Sequence, residues 1–131
     1  MIFVDSNVPM YIVGTPHPNQ DRAAALVDEI IDSGEALITS VEVYQEILHR
    51  YTSIRRPQSI NDAFNVIDGL VGAVLSYKMT EIRAARALLA TVPGLSARDA
   101  LHVAVMRTVD CSRVFSFDAG FDSCPGIERI S

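Results

Sequence analysis

The sequence lacks the features that mark membrane proteins and disulfide-stabilised proteins. None of its apolar runs approaches the roughly 20 residues that a membrane-spanning helix needs. The N-terminus has no basic, signal-like start. Its two cysteines, Cys111 and Cys124, form no C-x-x-C motif, which favours reduced thiols over a disulfide framework. These absences predict a cytoplasmic protein with no membrane partner.

The motifs of several enzyme classes are also missing. There is no G-x-G-x-x-G, no Walker loop and no G-x-S-x-G. His17, His49 and His102 show neither H-E-x-x-H nor Cys/His spacing, which disfavours a zinc site. His102 falls in a segment that is apolar nearly all round, a pattern that favours a core histidine.

Lysine is almost absent, because ten of the eleven basic residues are arginine and only Lys78 is not. The net charge of −5 argues at first against a nucleic-acid partner. That objection weakens if four of the sixteen acids bind a metal ion, since twelve acids then oppose eleven bases. Arginine forks well onto phosphate, but an arginine bias can equally reflect a GC-rich genome. Charge therefore neither supports nor excludes a polyanionic substrate.

The chain does contain an alternation of short apolar runs and longer amphipathic segments. Its 131 residues suit one domain spanning 1–131, and 49% apolar residues are enough for a core. We expect strands at 2–5, 36–38, 73–77, 113–117 and 127–130, and helices at 6–13, 18–32, 41–51, 59–72, 80–92 and 97–109. The alternation predicts a three-layer α/β/α domain with a mainly parallel central sheet of four to five short strands.

Hydroxyl residues mark where several of these helices are expected to begin. Thr39 or Ser40 is predicted to cap the third helix, with Glu42 as the capping-box partner of Thr39. Ser59 and Ser96 are predicted to cap the fourth and sixth helices.

Four acids occupy positions where a purely structural role is hard to assign. Asp5 and Asp118 each follow an apolar strand, Asp99 lies in the first turn of a helix and Glu46 in the second turn of another. The carboxyl ends of strands in an α/β sheet open onto a common crevice. Since a buried carboxylate is costly without a compensating partner, the four acids predict a shared divalent cation, and an all-oxygen site favours Mg²⁺ or Mn²⁺.

Each acid also has a structural interpretation. Asp5 could cap the helix that follows, and Asp99 completes an S-x-x-D capping pattern with Ser96. Asp118 begins a good turn sequence, and Glu46 lies just outside the apolar arc of its helix, which indicates a solvated face. Ser6 and Asn7, beside Asp5, could orient a ligand or a water molecule, or could only hydrogen-bond the turn.

Four segments resemble the conserved motifs of PIN domains, in the PIN order and over essentially the whole chain. They are 2–8 (IFVDSNV), 40–48 (SVEVYQEIL), 95–102 (LSARDALH) and 115–118 (FSFD). A short single-domain chain of this kind most resembles the VapC toxins of bacterial VapBC toxin–antitoxin pairs. The resemblance implies an acidic site at Asp5, Glu46, Asp99 and Asp118, with Asp122 as a fifth candidate. Ser116 stands where many members have threonine and keeps the hydroxyl.

The resemblance further implies a Mg²⁺- or Mn²⁺-dependent endoribonuclease that acts as a toxin on structured RNA such as tRNA or rRNA. Asp5, Asp99 and Asp118 would hold the metal, Glu46 would bind it or position the attacking water, and Arg98 is a candidate for contacting RNA phosphates. Implied partners are a VapB-type antitoxin and a second copy of the chain. The apolar run from 60 to 75 could be the dimer face or simply a buried helix.

Two other functions remain open from the sequence. A non-catalytic PIN-like module would keep the acids without cleaving RNA. A haloacid-dehalogenase-type phosphatase would need a second aspartate two residues after Asp5, where this chain has Asn7.

Overall fold

Five short strands form one wholly parallel sheet in the computed structural model, which describes all 131 residues. The strands are β1 (Ile2–Val4), β2 (Leu37–Ser40), β3 (Ala73–Leu75), β4 (Arg113–Phe115) and β5 (Glu128–Ile130), and their order across the sheet is β3-β2-β1-β4-β5. Six α-helices and a short 3₁₀-helix supply the crossovers that parallel pairing requires. The predicted three-layer α/β/α architecture is confirmed.

The helices alternate with the strands largely as the sequence predicts. They are α1 (Asn7–Val13), α2 (Pro18–Ser33), α3 (Val41–Ser53), α4 (Gln58–Leu70), α5 (Met79–Thr91) and α6 (Ala97–Arg107), with the 3₁₀-helix at Ala119–Ser123. Two helices follow each of the first three strands, and the 3₁₀-helix joins β4 to β5. The longest helix of the chain is α2, with 16 residues, and no helix is both long and apolar enough to cross a membrane.

The core lies on both sides of the central strands and around α6. All three residues of β1 are buried, and so are eight of the eleven residues of α6. Strands covered on both faces are apolar throughout rather than alternating, and a helix that is apolar all round is a buried one. The continuous hydrophobicity of these two elements therefore follows from their central position.

Two of the predicted capping residues are wrong, Thr39 and Ser59. The predicted start of α3 is right, because Ser40 is its N-cap residue, although the Ser40 side chain makes no capping bond. Thr39 lies inside β2, where its hydroxyl donates to the Val4 carbonyl over 2.8 Å, so Thr39 forms no capping box. Its expected partner Glu42 instead accepts a hydrogen bond from the Tyr77 hydroxyl. Helix α4 begins at Gln58 with Pro57 at the N-cap, one residue before the predicted cap Ser59. Proline fits a helix start because it needs no intrahelical N–H partner.

The apolar run from 60 to 75 is buried along one face only. It covers most of α4 and all of β3, and Ala63 and Ile67 of α4 are completely buried. Strand β3 is an edge strand, and its Val74 is 45% exposed. Helix α4 is therefore amphipathic rather than wholly buried, and a dimer face on this run stays a prediction.

The strand order sets the position of the functional site. Strand β1 lies between β2 and β4. The chain runs from β1 to β2 and β3 on one side and then crosses over β1 to β4 on the other side. In open parallel sheets, the crevice outside the carboxyl ends of such strands is the usual ligand site. Asp5 stands directly at the end of β1, and Asp118 follows β4 by three residues.

Candidate metal centre at the carboxyl ends of the strands

Asp5 is a buried carboxylate held at both oxygens. The Ser6 backbone N–H donates to its Oδ1 over 2.7 Å, and the Ser116 hydroxyl donates to its Oδ2 over 2.6 Å. The Asn7 amide also donates to Oδ2 over 3.3 Å. Asp5 does not cap α1 with its side chain, since the N-cap residue is Ser6 and no side-chain cap bond forms there. The capping interpretation of Asp5 is therefore wrong.

Ser116 and Asn7 join the ends of β1 and β4 into one hydrogen-bonded unit. The Asn7 amide donates to the Ser116 hydroxyl over 3.1 Å, and the Phe117 backbone N–H donates to Asn7 Oδ1 over 3.2 Å. The Asp118 backbone N–H also donates to Ser116 Oγ. These bonds to side chains explain why β4 ends at Phe115, two residues earlier than predicted. Asp118 forms the expected turn by accepting from the Gly120 N–H over 2.8 Å.

Glu46 is buried, so the solvated-face interpretation is wrong. Its side chain is 6% exposed, and Oε1 lies 2.8 Å from Nε2 of His102, which is completely buried. The same imidazole nitrogen lies 3.6 Å from Oδ1 of Asp5. His102 therefore stands between two carboxylates contributed by β1 and α3. Its other ring nitrogen, Nδ1, has no hydrogen-bond partner.

Asp99 faces the same cleft from the first turn of α6. Ser96 caps this helix as predicted, because its hydroxyl accepts from the Asp99 N–H over 3.1 Å. The Asp99 carboxylate takes no part in that cap, and its buried Oδ2 has no partner. Gly120 approaches closely, since a Cβ there would lie 3.1 Å from both Asp99 Oδ2 and Asp118 Oδ1. Glycine at 120 thus keeps open the space between the two carboxylates.

All four predicted acids line one polar cleft of about 300 Å³. No hydrophobic residue lines it, and the remaining wall residues are Ser6, Asn7, Ser96 and Arg98. Arg98 is exposed at the rim. Asp122 does not line this cleft, because both of its oxygens accept from Arg129 over 2.8 and 2.9 Å. The structure therefore unites four of the five candidate acids.

The cluster raises the pKa of two of its carboxyl groups. Burial, reinforced by the negative charges of Asp5 and Asp118, raises the pKa of Asp99 to about 7. Burial also raises the pKa of Asp5 above its ordinary value, although His102 and the Ser116 hydrogen bond oppose the shift. A negative charge on Asp99 or Asp5 is thus disfavoured in the metal-free site.

Glu46 and His102 shift each other in the opposite sense. Burial disfavours both charged forms, but their hydrogen bond and mutual attraction outweigh it. The pKa of Glu46 is therefore lowered, and the pKa of His102 is raised with further help from Asp5 and Asp99. The charged forms of Glu46 and His102 therefore stabilise each other.

The side chains fit a divalent cation. Oxygens of Asp5, Asp99 and Asp118 are hard ligands of the kind that Mg²⁺ and Mn²⁺ prefer. A cation would supply the partner that the buried Asp99 Oδ2 lacks, and the absence of a side chain at Gly120 leaves space beside this oxygen. Asp5, Glu46 and His102 also offer ligand atoms within 4.8 Å of one another, so a cation could approach that side as well.

His102 is the site residue that sequence reasoning missed. It was assigned to the core, and it is indeed completely buried, but its imidazole contacts the functional carboxylates. A usable signal was present, because Asp99 and His102 are three residues apart and so share a face of α6. A face that carries one buried acid predicts a buried partner for it.

The matches to known proteins agree with this geometry. Residues 2–126 match the family model described as PIN domain. Ribonuclease VapC13 of Mycobacterium tuberculosis is 50% identical over 131 residues, covering 100% of both chains. The structure of M. tuberculosis VapC20, a sarcin–ricin loop cleaving toxin, has a TM-score of 0.77 at 20% identity, covering 98% of each chain. VapBC2 from Rickettsia felis, bound to a DNA fragment from their promoter, matches with a TM-score of 0.70 at 10% identity over 99% of this chain and 98% of that one.

The two structural matches are too dissimilar in sequence to show more than the fold. The family model and the full-length relative at 50% identity carry the assignment. The chain therefore belongs to the PIN-domain family and, within it, to the VapC ribonucleases.

Proposed function

We propose that this chain is a divalent-cation-dependent endoribonuclease that acts as the toxin of a toxin–antitoxin pair. The observation that carries the proposal is the open cleft in which Asp5, Glu46, Asp99 and Asp118 meet with no hydrophobic residue in its wall. A cleft of this composition suits a phosphate held through metal ions better than an apolar ligand. The full-length similarity to a ribonuclease supports RNA as the substrate.

In this proposal Mg²⁺ or Mn²⁺ supplies Lewis acidity, which lowers the pKa of water and offsets negative charge on the phosphate oxygens. Asp5, Asp99 and Asp118 hold the cation. Asp5 is kept in one orientation by the Ser6 N–H and the Ser116 hydroxyl. Such preorganisation spares the site from reordering when substrate arrives.

Glu46 and His102 complete the charge balance on the other side of the cleft. His102 Nε2 lies 2.8 Å from Glu46 Oε1 and 3.6 Å from Asp5 Oδ1, so a positive charge on this ring stabilises both carboxylates. Glu46 is therefore proposed to act as a ligand or to position the attacking water, with His102 fixing its orientation. Arg98, exposed at the rim, is proposed to contact RNA phosphates.

The test is incubation of the pure protein with total bacterial RNA in Mg²⁺, Mn²⁺ or EDTA. We expect cleavage in either metal, none in EDTA, and at least about 100-fold slower cleavage by Asp5→Asn and Asp99→Asn, because each removes a ligand charge. Asp28→Asn, an exposed acid of α2 outside the cleft, is the matched control and should cleave normally.

The outcome also separates the alternatives. RNA binding without cleavage in any metal would indicate a non-catalytic PIN module. Phosphate release from a small phosphomonoester without RNA cleavage would indicate a phosphatase. Cleavage at the wild-type rate by both aspartate variants would contradict the proposed site. Growth arrest on expression of the wild type, absent with Asp5→Asn, would support the toxin role.

A VapB-type antitoxin and a second copy of the chain are the proposed protein partners. The structural match solved as VapBC2 supports the first. Exposed apolar side chains on α5, Ile82 at 38% and Leu89 at 42%, support the second. We expect light scattering to give a dimer for the wild type and a monomer for Ile82→Glu/Leu89→Glu. A wild-type monomer would contradict this assignment.

A further inference from the structure

A second cavity lies beside the carboxylate cleft and plays no part in the chemistry described above. It has a volume of about 340 Å³ and is formed by α1, the loop that follows it and the end of α3 with its following turn. The wall includes Tyr11, His17, Arg50, Tyr51 and Arg56. Two cations and three ring side chains therefore surround one small space.

The cavity is a cationic region in a chain of net charge −5. No acidic side chain lines it, and neither Arg50 nor Arg56 forms an ion pair within 4.0 Å. Both arginines are exposed, so each guanidinium is free to fork onto a phosphate. By contrast, Arg113 and Arg129 elsewhere on the surface are paired with carboxylates.

Two ring side chains of the wall, Tyr11 and His17, pack against each other. The Tyr11 and His17 rings lie 5.0 Å apart at 33°, and Phe117 packs edge-on against Tyr11 with centroids 5.2 Å apart. Phe117 thereby fixes the Tyr11 ring, while His17 is exposed. A fixed ring beside unpaired guanidinium groups is the combination that binds single-stranded nucleic acid, in which bases stack and phosphates pair.

Asn7 connects this cavity to the candidate metal centre, because it lines both. Tyr11 follows Asn7 by four residues on α1, so the two side chains share one helix face about 6 Å apart along the axis. That separation exceeds the 3.4 Å rise of one stacked nucleotide. Since Asn7 lines both spaces, a nucleotide in the cavity would be a neighbour of one whose phosphate lies in the cleft.

We propose that this cavity binds one unpaired nucleotide of the RNA next to the cleaved phosphate. Its base stacks on Tyr11 and His17, and its flanking phosphates pair with Arg50 and Arg56. The inference rests on the proposed ribonuclease function and assigns substrate contacts to residues outside the carboxylate cleft. The nucleotide in the cavity is unpaired, because a base inside a duplex cannot enter it. Stacking accepts any base, so the cavity itself sets strandedness rather than sequence.

The test measures binding separately from cleavage. Fluorescence anisotropy with a labelled single-stranded RNA of about 12 nucleotides, in EDTA, gives Kd as a function of salt. We expect Arg50→Ala/Arg56→Ala to weaken binding about tenfold and to reduce the slope of log K against log salt by about 1.4, or about 0.7 for each lost phosphate contact. Arg22→Ala/Arg83→Ala, with the same charge change outside both cavities, should leave the slope nearly unchanged.

Two substitutions of Tyr11 test the contribution of the aromatic rings to binding. Tyr11→Leu should weaken binding about tenfold, whereas Tyr11→Phe should retain it, because stacking needs the ring and not the hydroxyl. If Tyr11→Leu fails to fold, His17→Asn removes a ring while keeping an acceptor for the Asn19 N–H at the start of α2. We expect about threefold weaker binding for that variant.

The results distinguish this inference from the proposed function. A wild type that cleaves RNA while the arginine and aromatic variants bind with unchanged Kd and salt slope would overturn the inference alone and leave the cavity to a protein partner. Loss of binding in those variants with no cleavage by the wild type would support the nucleotide site and contradict the nuclease. Equal affinity for the single strand and its blunt duplex would also overturn the inference.

Discussion

The two sides of the carboxylate cleft differ in how completely their polar atoms are satisfied. On the strand side, Asp5, Asn7 and Ser116 form a closed set of hydrogen bonds between the ends of β1 and β4. On the helix side, Asp99 Oδ2 and His102 Nδ1 are buried without partners. Most buried polar atoms in proteins have partners, so two exceptions in one small region require a cause.

The contrast assigns different tasks to the two sides. The strand side fixes geometry, because its hydrogen bonds leave Asp5 with little freedom. On the helix side, burial and the negative charges of Asp5 and Asp118 raise the pKa of Asp99 to about 7, and His102 is the buried group that offsets Glu46 and Asp5. A bound cation would satisfy the helix side without disturbing the strand side. The stability lost through a substitution should therefore depend on Mg²⁺ differently on the two sides of the cleft.

The largest effect is expected on the helix side, from His102→Leu. The change leaves Glu46 as a buried carboxylate without its partner, which typically costs about 3–5 kcal/mol of unfolding free energy. We expect urea denaturation to show this loss in EDTA and a smaller loss in Mg²⁺, because the cation replaces part of the missing positive charge. His49→Leu, at an exposed position of α3, is the control.

A cost below about 1.5 kcal/mol for His102→Leu would mean that the imidazole only fills space, since a volume-conserving swap costs little. His102 would then not offset the buried charge of Glu46, and the two sides of the cleft would not differ in this respect.

The strand side should respond to Ser116→Ala with a smaller loss. The hydroxyl donates to Asp5 and accepts from Asn7 and the Asp118 N–H, so its removal leaves buried groups unsatisfied at a cost of about 1–3 kcal/mol. Thermal unfolding should show a deficit at least as large in Mg²⁺ as in EDTA, because a cation cannot replace the hydroxyl and the loss of this donor also weakens Asp5 as a ligand. Ser123→Ala, an exposed serine, is the matched control, and a deficit that Mg²⁺ removes would contradict the assignment.

The stability of the metal-free protein should depend on pH through the titratable groups of the helix side. Folding raises the pKa of Asp99 from 3.8 to about 7, so between these values the folded chain holds a proton that the unfolded chain has lost. Stability therefore falls as pH rises through this window. Asp5 contributes with the same sign, and the raised pKa of His102 adds stability that is complete below pH 6.5 and lost above its folded value.

We expect Tm in EDTA to drop by about 5 °C between about pH 5.5 and pH 8. Mg²⁺ should raise Tm more at the higher pH, because metal binding requires ionised carboxylates. Asp99→Asn should flatten the metal-free profile. A metal-free Tm that rises across this range would contradict the raised pKa of Asp99.

The smallest effect is expected at Asp122, which lies outside both sides. Its forked pair with Arg129 is more than half exposed on the aspartate, and exposed pairs contribute about 0–1 kcal/mol. Asp122→Asn should therefore leave RNA cleavage and Mg²⁺ affinity at wild-type values. A tenfold weaker Mg²⁺ affinity, measured by calorimetry, would return Asp122 to the ligand set and extend the site beyond the cleft.

Much of the fold was predictable because local signals agreed with it. The apolar runs at 2–5 and 113–117 are central strands, and Pro18 and Ser96 start their helices as expected. The two wrong caps have separate causes. Thr39 and Ser59 are good capping residues by type. Thr39, however, belongs to β2 and hydrogen-bonds to β1, and α4 already begins at Gln58 with Pro57 as its N-cap residue.

The sequence by itself determined the elements, the family motifs and which acids follow strands or open helices. Only the tertiary structure decided what those acids contact. Helical periodicity placed Glu46 on a solvated face and His102 in the core, yet packing of α3 and α6 against β1 brings both against Asp5. Periodicity reports the average polarity of a face, whereas the ionisation of a buried carboxylate depends on charges a few ångströms away from distant parts of the chain.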